Sequence, residues 1–204
     1  MSDIETIMRI APVVPVIVIE DLAHAVPLAE ALVAGGLRAL EVTLRTPVAL
    51  DAIRAMKQVP GAVVGAGTVT NPDELEDALR AGSEFIVSPG LTENLGRAAV
   101  RHGVPFLPGT ANAGDIMRGL DLGLTHFKFF PAMTSGGLPA LKALAAPFGQ
   151  CRFCPTGGIS PDNAAEWLAF DPVLCVGGSW VAPKGAPDQQ AIEKMARAAV
   201  ALGA

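Results

Sequence analysis

Short apolar segments alternate with longer amphipathic segments along the whole chain. The apolar segments are rich in Val, Ile, Leu and Phe, which favour strands, whereas the amphipathic segments have the spacing of helices that pack on a sheet. Candidate strands begin near Val13, Arg38, Ala62, Glu84, Val104, Thr125, Cys151 and Pro172. Their starts are 20 to 26 residues apart, the length of one strand–helix unit with short loops. Eight such units predict an α/β fold, a (β/α)8 TIM barrel, with an open doubly wound sheet as the alternative.

Helix boundaries have regular signals. A cap residue followed by proline predicts helix starts at Thr46-Pro47, Asn71-Pro72 and Ser160-Pro161. Glycines predict helix ends at Gly35-Gly36, Gly82, Gly103 and Gly123. A short helix over Asp3–Met8 precedes the first strand and should cap the floor of the barrel, and Asp188–Leu202 should form the closing helix. Residues 1–204 are therefore expected to be a single domain.

Composition excludes several classes of protein. The net charge is −5 and the basic residues are dispersed, so we expect no nucleic-acid partner. The longest apolar run, Ile10–Ile19, has ten residues with two prolines. A spanning helix needs about 20 apolar residues, so we expect no membrane partner. Three cysteines do not make a disulfide framework, which favours a reducing cytoplasm.

Glycine-rich turns follow five of the predicted strands. They are Gly65-Ala66-Gly67-Thr68, Ser88-Pro89-Gly90, Pro108-Gly109-Thr110, Thr156-Gly157-Gly158 and Gly177-Gly178-Ser179. In a barrel these turns meet on one face, where active sites are built, and the last two lie where such barrels bind phosphate. Any single glycine pair could serve only the geometry of its turn. The first turn lacks the third glycine of a dinucleotide fingerprint, so no NAD site is assigned.

Lys128 is the most informative residue. It lies in the apolar segment Phe127–Pro131. On a strand, His126, Lys128 and Phe130 share one face, so Phe127 and Phe129 can pack on helices while Lys128 points into the barrel. There the lysine is either half of a structural ion pair or a nucleophilic amine whose neutral form is favoured by burial or by a neighbouring cation.

The second predicted strand supplies groups that complement this lysine. Glu41, Thr43 and Arg45 share one face by parity. Glu41 could pair structurally with Lys128 or Arg45, or it could transfer protons. Arg45 can bind a substrate carboxylate through two hydrogen bonds.

Five motifs together resemble the 2-keto-3-deoxy-6-phosphogluconate (KDPG) aldolases, from the first strand to the final helix. They are Glu41-Val42-Thr43-Leu44-Arg45, Gly65-Ala66-Gly67-Thr68-Val69, Lys128-Phe129-Phe130-Pro131-Ala132, Pro155-Thr156-Gly157-Gly158 and Gly177-Gly178-Ser179-Trp180. The resemblance implies a class I aldolase that needs no cofactor or metal. It implies cleavage of KDPG to pyruvate and D-glyceraldehyde 3-phosphate in the Entner–Doudoroff pathway. Some members of the family also cleave 4-hydroxy-2-oxoglutarate, and homotrimers are typical of the family.

The resemblance also assigns roles to residues. Lys128 would form the Schiff base and Glu41 would transfer protons. The residues expected to bind the substrate are Arg45, Thr68, Pro89, Lys128, Phe130 and Thr156. Those expected to bind its phosphate are Gly157, Gly158, Gly178 and Ser179. Two other functions fit a phosphate-binding barrel. A phosphosugar isomerase or epimerase would form no covalent adduct, and a non-catalytic phosphosugar sensor would need neither Lys128 nor Glu41.

Overall fold

A computed structural model describes residues 3–203, in which parallel strands and helices alternate. The strands are Val13–Ile17 (β1), Ala39–Thr43 (β2), Val63–Gly67 (β3), Ile86–Val87 (β4), Phe106–Leu107 (β5), Gly109–Thr110 (β6), His126–Phe129 (β7), Arg152–Pro155 (β8) and Val176–Gly178 (β9). The helices are Ile4–Met8 (α1), Ala25–Ala34 (α2), Ala49–Met56 (α3), Pro72–Ala81 (α4), Glu93–His102 (α5), Ala113–Asp121 (α6), Gly137–Ala145 (α7), Ala164–Leu168 (α8) and Gln189–Val200 (α9).

The strands form two parallel sheets. One has six strands in the order β5-β4-β3-β2-β1-β9, and the other has the order β6-β7-β8. Two isolated bridges, Phe153 with Val173 and Thr156 with Gly177, link β8 to the segment of β9. Only Pro108 separates β5 from β6. The predicted α/β class and its parallel pairing are confirmed.

Seven of the eight predicted strands begin within two residues of the expected position, and β9 begins four residues after Pro172. Apolar side chains explain this agreement because they are buried on both faces of the strands. Leu40 and Val42 of β2 belong to the large apolar cluster between the strands and the helices. Ala39 packs in a smaller apolar cluster on the other face of the strands. The short α1 adds Ile7 and Met8 to that inner cluster, so it covers the amino-terminal ends of the strands as predicted.

Helix boundaries followed their signals only in part. The Asn71 side chain accepts a hydrogen bond from Glu74 N and caps α4, and Gly82 ends the same helix with a left-handed φ of 96°. The prediction was wrong at Thr46, because α3 begins three residues later and the Thr46 hydroxyl donates to Ile19 O, 2.6 Å away. It was also wrong at Ser160, because α8 begins only at Ala164. In both cases a turn lies between the expected cap residue and the first residue of the helix, so that residue cannot cap the helix.

One titratable group lies at the amino-terminal end of the strands. His126 Nε2 is 3.3 Å from Glu5 Oε2 of α1. Burial lowers the His126 pKa, and the negative charges of Glu5 and Asp3 partly oppose this effect. Burial therefore favours the neutral form of the imidazole.

None of the helices in residues 3–203 is both long enough and apolar enough to cross a membrane.

Candidate active site

Lys128 is buried in the middle of β7. Its side chain is 6% exposed, and its Nζ donates a hydrogen bond to Glu41 Oε1 at 2.9 Å. The neighbouring Phe127 and Phe129 are buried on the opposite face, where the Phe129 ring packs at 6.4 Å from that of Trp167. Alternation along the strand thus aims the lysine away from the helices, as predicted.

Glu41 occupies the facing position on β2, and its side chain is 3% exposed. Space for its carboxylate comes from Gly67 at the end of β3. A Cβ atom added to Gly67 would lie 2.6 Å from Glu41 Cγ, closer than real atoms pack. Gly67 is thus required by the close approach of a charged side chain.

Arg45 and Thr68 form a second polar pair, just after β2 and β3. Arg45 Nε donates to Thr68 Oγ1 at 3.2 Å. Thr68 has a φ of 61° and is the one non-glycine residue in 3–203 with a positive φ. A β-branched residue rarely adopts this conformation, and such strain is concentrated at functional sites.

A cavity of about 150 Å³ lies at the carboxyl ends of the strands. Its lining includes seven predicted site residues: Arg45, Lys128, Phe130, Thr156, Gly157, Gly158 and Ser179. Glu41 and Thr68 are outside the lining but contact it through Lys128 and Arg45. Pro89 and Gly178 are the two other predicted site residues outside the lining.

Pro89 nevertheless lies against β6, the strand that pairs with the strand of Lys128. Gly109 pairs with Lys128 across β6 and β7, and a Cβ atom added to Gly109 would collide with the Pro89 carbonyl. The backbone of Pro89 therefore approaches the strand next to the lysine.

The last two glycine-rich turns meet at the far wall of the cavity. Thr156 pairs with Gly177, and a Cβ atom added to Gly177 would lie 2.8 Å from Thr156 Cγ2. Gly157 and Gly158 follow with φ values of 101° and 79°. Successive residues in such a turn can direct backbone N–H groups at one anion.

Two thiols lie beside the charged pair. A hydrogen bond with Cys154, burial, and the negative charge of Glu41 together raise the pKa of Cys175 well above its usual range. Its thiol therefore stays protonated and does not compete with Lys128 as a nucleophile. Cys151 and Cys154 pack in different clusters, as expected for positions three apart on a strand.

Sequence reasoning missed part of the cavity wall. Val16 and Val18 of the β1 end, Ile159 and Gly177 also line it. Alternation along β1 places Val16 and Val18 on one face, so parity offered a signal for them. The sequence contained no such signal for Ile159, because this residue follows a turn and strand alternation does not apply to it.

Comparisons with known proteins find relatives over nearly the whole chain. A sequence model of the family described as KDPG and KHG aldolase matches residues 4–197. The 2-dehydro-3-deoxy-phosphogluconate aldolase of Zymomonas mobilis is 62% identical over 202 residues, which cover 99% of this chain and 97% of that relative.

Two solved structures have nearly the same fold. The Zymomonas mobilis KDPG aldolase with 3-phosphoglycerate has a TM-score of 0.97 at 62% identity and covers 98% of this chain and 96% of its own. The Legionella pneumophila KDPG aldolase, with pyruvate captured as a covalent carbinolamine intermediate, has a TM-score of 0.94 at 44% identity and covers 98% of each chain. These findings confirm the predicted family and the predicted class of enzyme: the chain belongs to the KDPG and KHG aldolase family.

Proposed function

We propose that this aldolase cleaves 2-dehydro-3-deoxy-6-phosphogluconate to pyruvate and D-glyceraldehyde 3-phosphate through a Schiff base on Lys128. The observation that carries the proposal is a buried lysine that lines a small cavity with its amine 2.9 Å from a carboxylate. The names of the relatives and the captured carbinolamine of the Legionella pneumophila protein support it.

The contact between Lys128 and Glu41 explains the first half of the reaction. Attack on the C2 ketone requires a neutral amine, and Glu41 Oε1 is within hydrogen-bond distance of the proton that must leave. The nitrogen adds to C2 to give a carbinolamine. Its hydroxyl takes the proton back from Glu41 and leaves as water, which forms an iminium and returns Glu41 to its carboxylate form. The positive iminium withdraws electrons from C3, the work that a metal ion does in class II aldolases.

Glu41 then serves the second half. It removes the proton of the C4 hydroxyl, directly or through a water molecule, and the C3–C4 bond breaks. Glyceraldehyde 3-phosphate leaves, and the electron pair remains on C3 as an enamine. Protonation of C3 and addition of water, which replaces the molecule lost earlier, release pyruvate and restore the lysine.

Arg45 and the glycine-rich turns hold the two ends of the substrate. Nε of Arg45 is engaged by Thr68, which leaves the terminal N–H groups of the guanidinium to bind the carboxylate of the keto acid. The phosphate is bound by Gly157, Gly158, Gly178 and Ser179, and Pro89, Phe130 and Thr156 complete the contacts with the carbon chain.

Reduction with borohydride in the presence of pyruvate tests the covalent step. We expect loss of activity and one reduced pyruvyl group, located by peptide mapping at Lys128. Lys184 is an internal control, because its amine is also 2.9 Å from a glutamate but its side chain is 70% exposed. An adduct at Lys184, or activity that survives without an adduct, would contradict a catalytic Schiff base on Lys128.

Ser179→Ala tests the phosphate end separately. Ser179 lines the cavity, and its hydroxyl should contact only the phosphate. We expect weaker use of the phosphorylated substrate, while cleavage of 4-hydroxy-2-oxoglutarate, which lacks a phosphate, continues. Equal loss on both substrates would mean that the turn stabilises the fold and does not bind phosphate.

We also propose that the two sheets close into one eight-stranded barrel, with residues 1–204 as a single domain. The bridges from β8 to the segment of β9 support closure on one side, and the single residue between β5 and β6 supports it on the other. A single cooperative unfolding transition is expected. Two separate transitions, or a crystal structure with a gap beside β8, would contradict this arrangement.

A homotrimer in the cytoplasm is the assembly that the family and the chain favour. Val100, Met117 and Met133 are large apolar side chains between 47% and 57% exposed, which is consistent with a further interface. Light scattering should give about three times the 20.9 kDa mass of the chain.

All three cysteines are free and buried, as suits a reducing compartment. Because the iminium does the work of a metal ion, strong chelators should leave the rate of substrate cleavage unchanged.

A further inference from the structure

A second and larger cavity lies at the opposite end of the strands from Lys128. Its volume is about 450 Å³, compared with about 150 Å³ for the catalytic cavity. It lies between α1 and the starts of β3, β4 and β5. Its apolar lining consists of Ile7, Ile10, Val63, Leu79, Val104 and Pro105, and its polar lining residues are Lys57, Ser83, Glu84 and His102. Sites for small molecules have volumes of roughly 300 to 1,000 Å³ and linings of this kind, with a few polar groups.

One of these polar groups is a buried hydroxyl. Ser83 follows α4, lines the cavity and is 8% exposed. Its Oγ has no hydrogen-bond partner in the part of the chain that the structure describes. This Oγ atom is shielded from solvent, so Ser83 forms part of the cavity wall and its hydroxyl is not a contact for a ligand.

Two opposite charges are fixed at the edge of the same cavity. Lys57 Nζ lies 3.6 Å from Glu84 Oε1, and the two side chains are 33% and 41% exposed. The stem of Lys57 lies over Gly82, and Glu84 Oε1 also accepts a hydrogen bond from Val64 N at 3.1 Å. The edge therefore presents one cation and one anion side by side, and a backbone N–H also holds the anion.

We propose that this cavity binds a free α-amino acid with a large apolar side chain. Its carboxylate would pair with Lys57, its ammonium group with Glu84, and its side chain would enter the apolar interior beside Ser83. Charge complementarity selects this class of ligand, because a simple carboxylate would be repelled by Glu84 and a simple amine by Lys57. A neutral apolar molecule would leave both charges unused.

Calorimetric titration of the full chain tests the charge pattern with three matched probes. L-Phenylalanine carries both charges, 3-phenylpropanoate lacks the ammonium group, and 2-phenylethylamine lacks the carboxylate. We expect one saturable site per chain for phenylalanine and at least about ten-fold weaker binding of each analogue, the scale of one hydrogen bond to a charged group. The proposal is overturned if neither phenylalanine nor L-leucine saturates a site, or if either analogue binds as tightly as phenylalanine.

Variants locate the site. Glu84→Gln should weaken binding of phenylalanine but not of 3-phenylpropanoate, and Lys57→Met should weaken both. Ser83→Ala should leave the binding of phenylalanine unchanged, because the ligand group beside Ser83 is apolar and makes no hydrogen bond with its hydroxyl. Lys194→Met makes the same change as Lys57→Met at an exposed position of α9 and should have no effect.

Lys128→Ala distinguishes the two cavities. Phenylalanine should bind this variant with unchanged affinity, because the second cavity does not include Lys128. Loss of binding in Lys128→Ala, or retained affinity in both Lys57→Met and Glu84→Gln, would place the ligand elsewhere and end the proposal. Circular dichroism of each variant separates such a result from failure to fold.

Discussion

Two lysine–glutamate pairs in this protein have the same separation and opposite surroundings. Lys128 and Glu41 join β7 to β2 at 2.9 Å with side chains 6% and 3% exposed, whereas Lys184 and Glu20 meet at 2.9 Å with side chains 70% and 58% exposed. An exposed pair contributes little to stability, because water screens it. A buried pair must overcome the loss of hydration of two charges, and apolar residues of similar size often stabilise a core better. Distance alone therefore does not distinguish a functional pair from an incidental one.

The neighbours of the two pairs reinforce the contrast. The interior pair requires Gly67 for space, and it lies near Thr68, whose backbone is strained. The surface pair joins the loops after β1 and β9. Two buried charges, a glycine required for space and a strained backbone all lie in one interior region. Such a combination of destabilising features is typical of a site where chemistry takes place.

Removal of the two lysines should give the largest difference. Lys128→Ala should lower turnover by at least about 10⁴-fold, the scale for loss of a nucleophile, and should abolish the pyruvate adduct. Lys184→Ala should retain turnover. Steady-state assays of both purified variants, with folding checked by circular dichroism, test this expectation. Comparable activity in the two variants would remove the distinction between the pairs.

Neutralising the two glutamates should give the next largest difference. Glu41→Gln should lower turnover by about 100-fold or more, the usual scale for a lost general acid–base, and the iminium with pyruvate should form more slowly. Glu20→Gln should have little effect. If Glu41 only pairs structurally with Lys128, Glu41→Gln should instead lower the melting temperature and leave catalysis high.

Gly67→Ala disturbs the interior pair without touching either charge. The added methyl group would lie 2.6 Å from Glu41 Cγ and displace the carboxylate. We expect turnover to fall by about ten-fold and the free energy of unfolding to fall by about 1–3 kcal/mol, as for other overpacked sites. Gly149→Ala is the matched control, because a Cβ atom there meets no atom within 4 Å. Normal turnover in Gly67→Ala would mean that the position of Glu41 is not critical.

The smallest expected effect concerns pH and the amino-terminal end of the strands. Burial lowers the folded-state pKa of His126, so the unfolded chain, with a histidine pKa of about 6.5, binds more protons below that pH. The free energy of unfolding should therefore fall as the pH falls through and below about 6.5. His126→Asn should reduce this slope in urea titrations at pH 7 and pH 5.5. An unchanged slope in the variant would mean that other groups cause the pH dependence.

The sequence alone determined the strand–helix alternation, because hydrophobic periodicity is local and each strand is buried on both faces. It also placed Lys128 on the opposite face of its strand from the flanking phenylalanines, and it identified the glycine-rich turns at the strand ends. Parity suffices for these conclusions, since successive side chains of a strand point to opposite faces. The helix starts at Thr46 and Ser160 were wrong because a hydroxyl that can cap a helix can also hydrogen-bond elsewhere, as Thr46 does with Ile19 O.

Only the tertiary structure decided which distant residues meet. Lys128 and Glu41 are 87 positions apart, and charge alone left Arg45 as an equal partner for the carboxylate. The structure pairs Arg45 with Thr68 instead, and it shows that Gly67 leaves room for Glu41. The amino-terminal cavity was also beyond the sequence, because its lining comes from α1, the ends of three later helices and three strand starts. A local pattern specifies which face a side chain occupies, whereas a pair or a cavity depends on the packing of elements that are far apart in the chain.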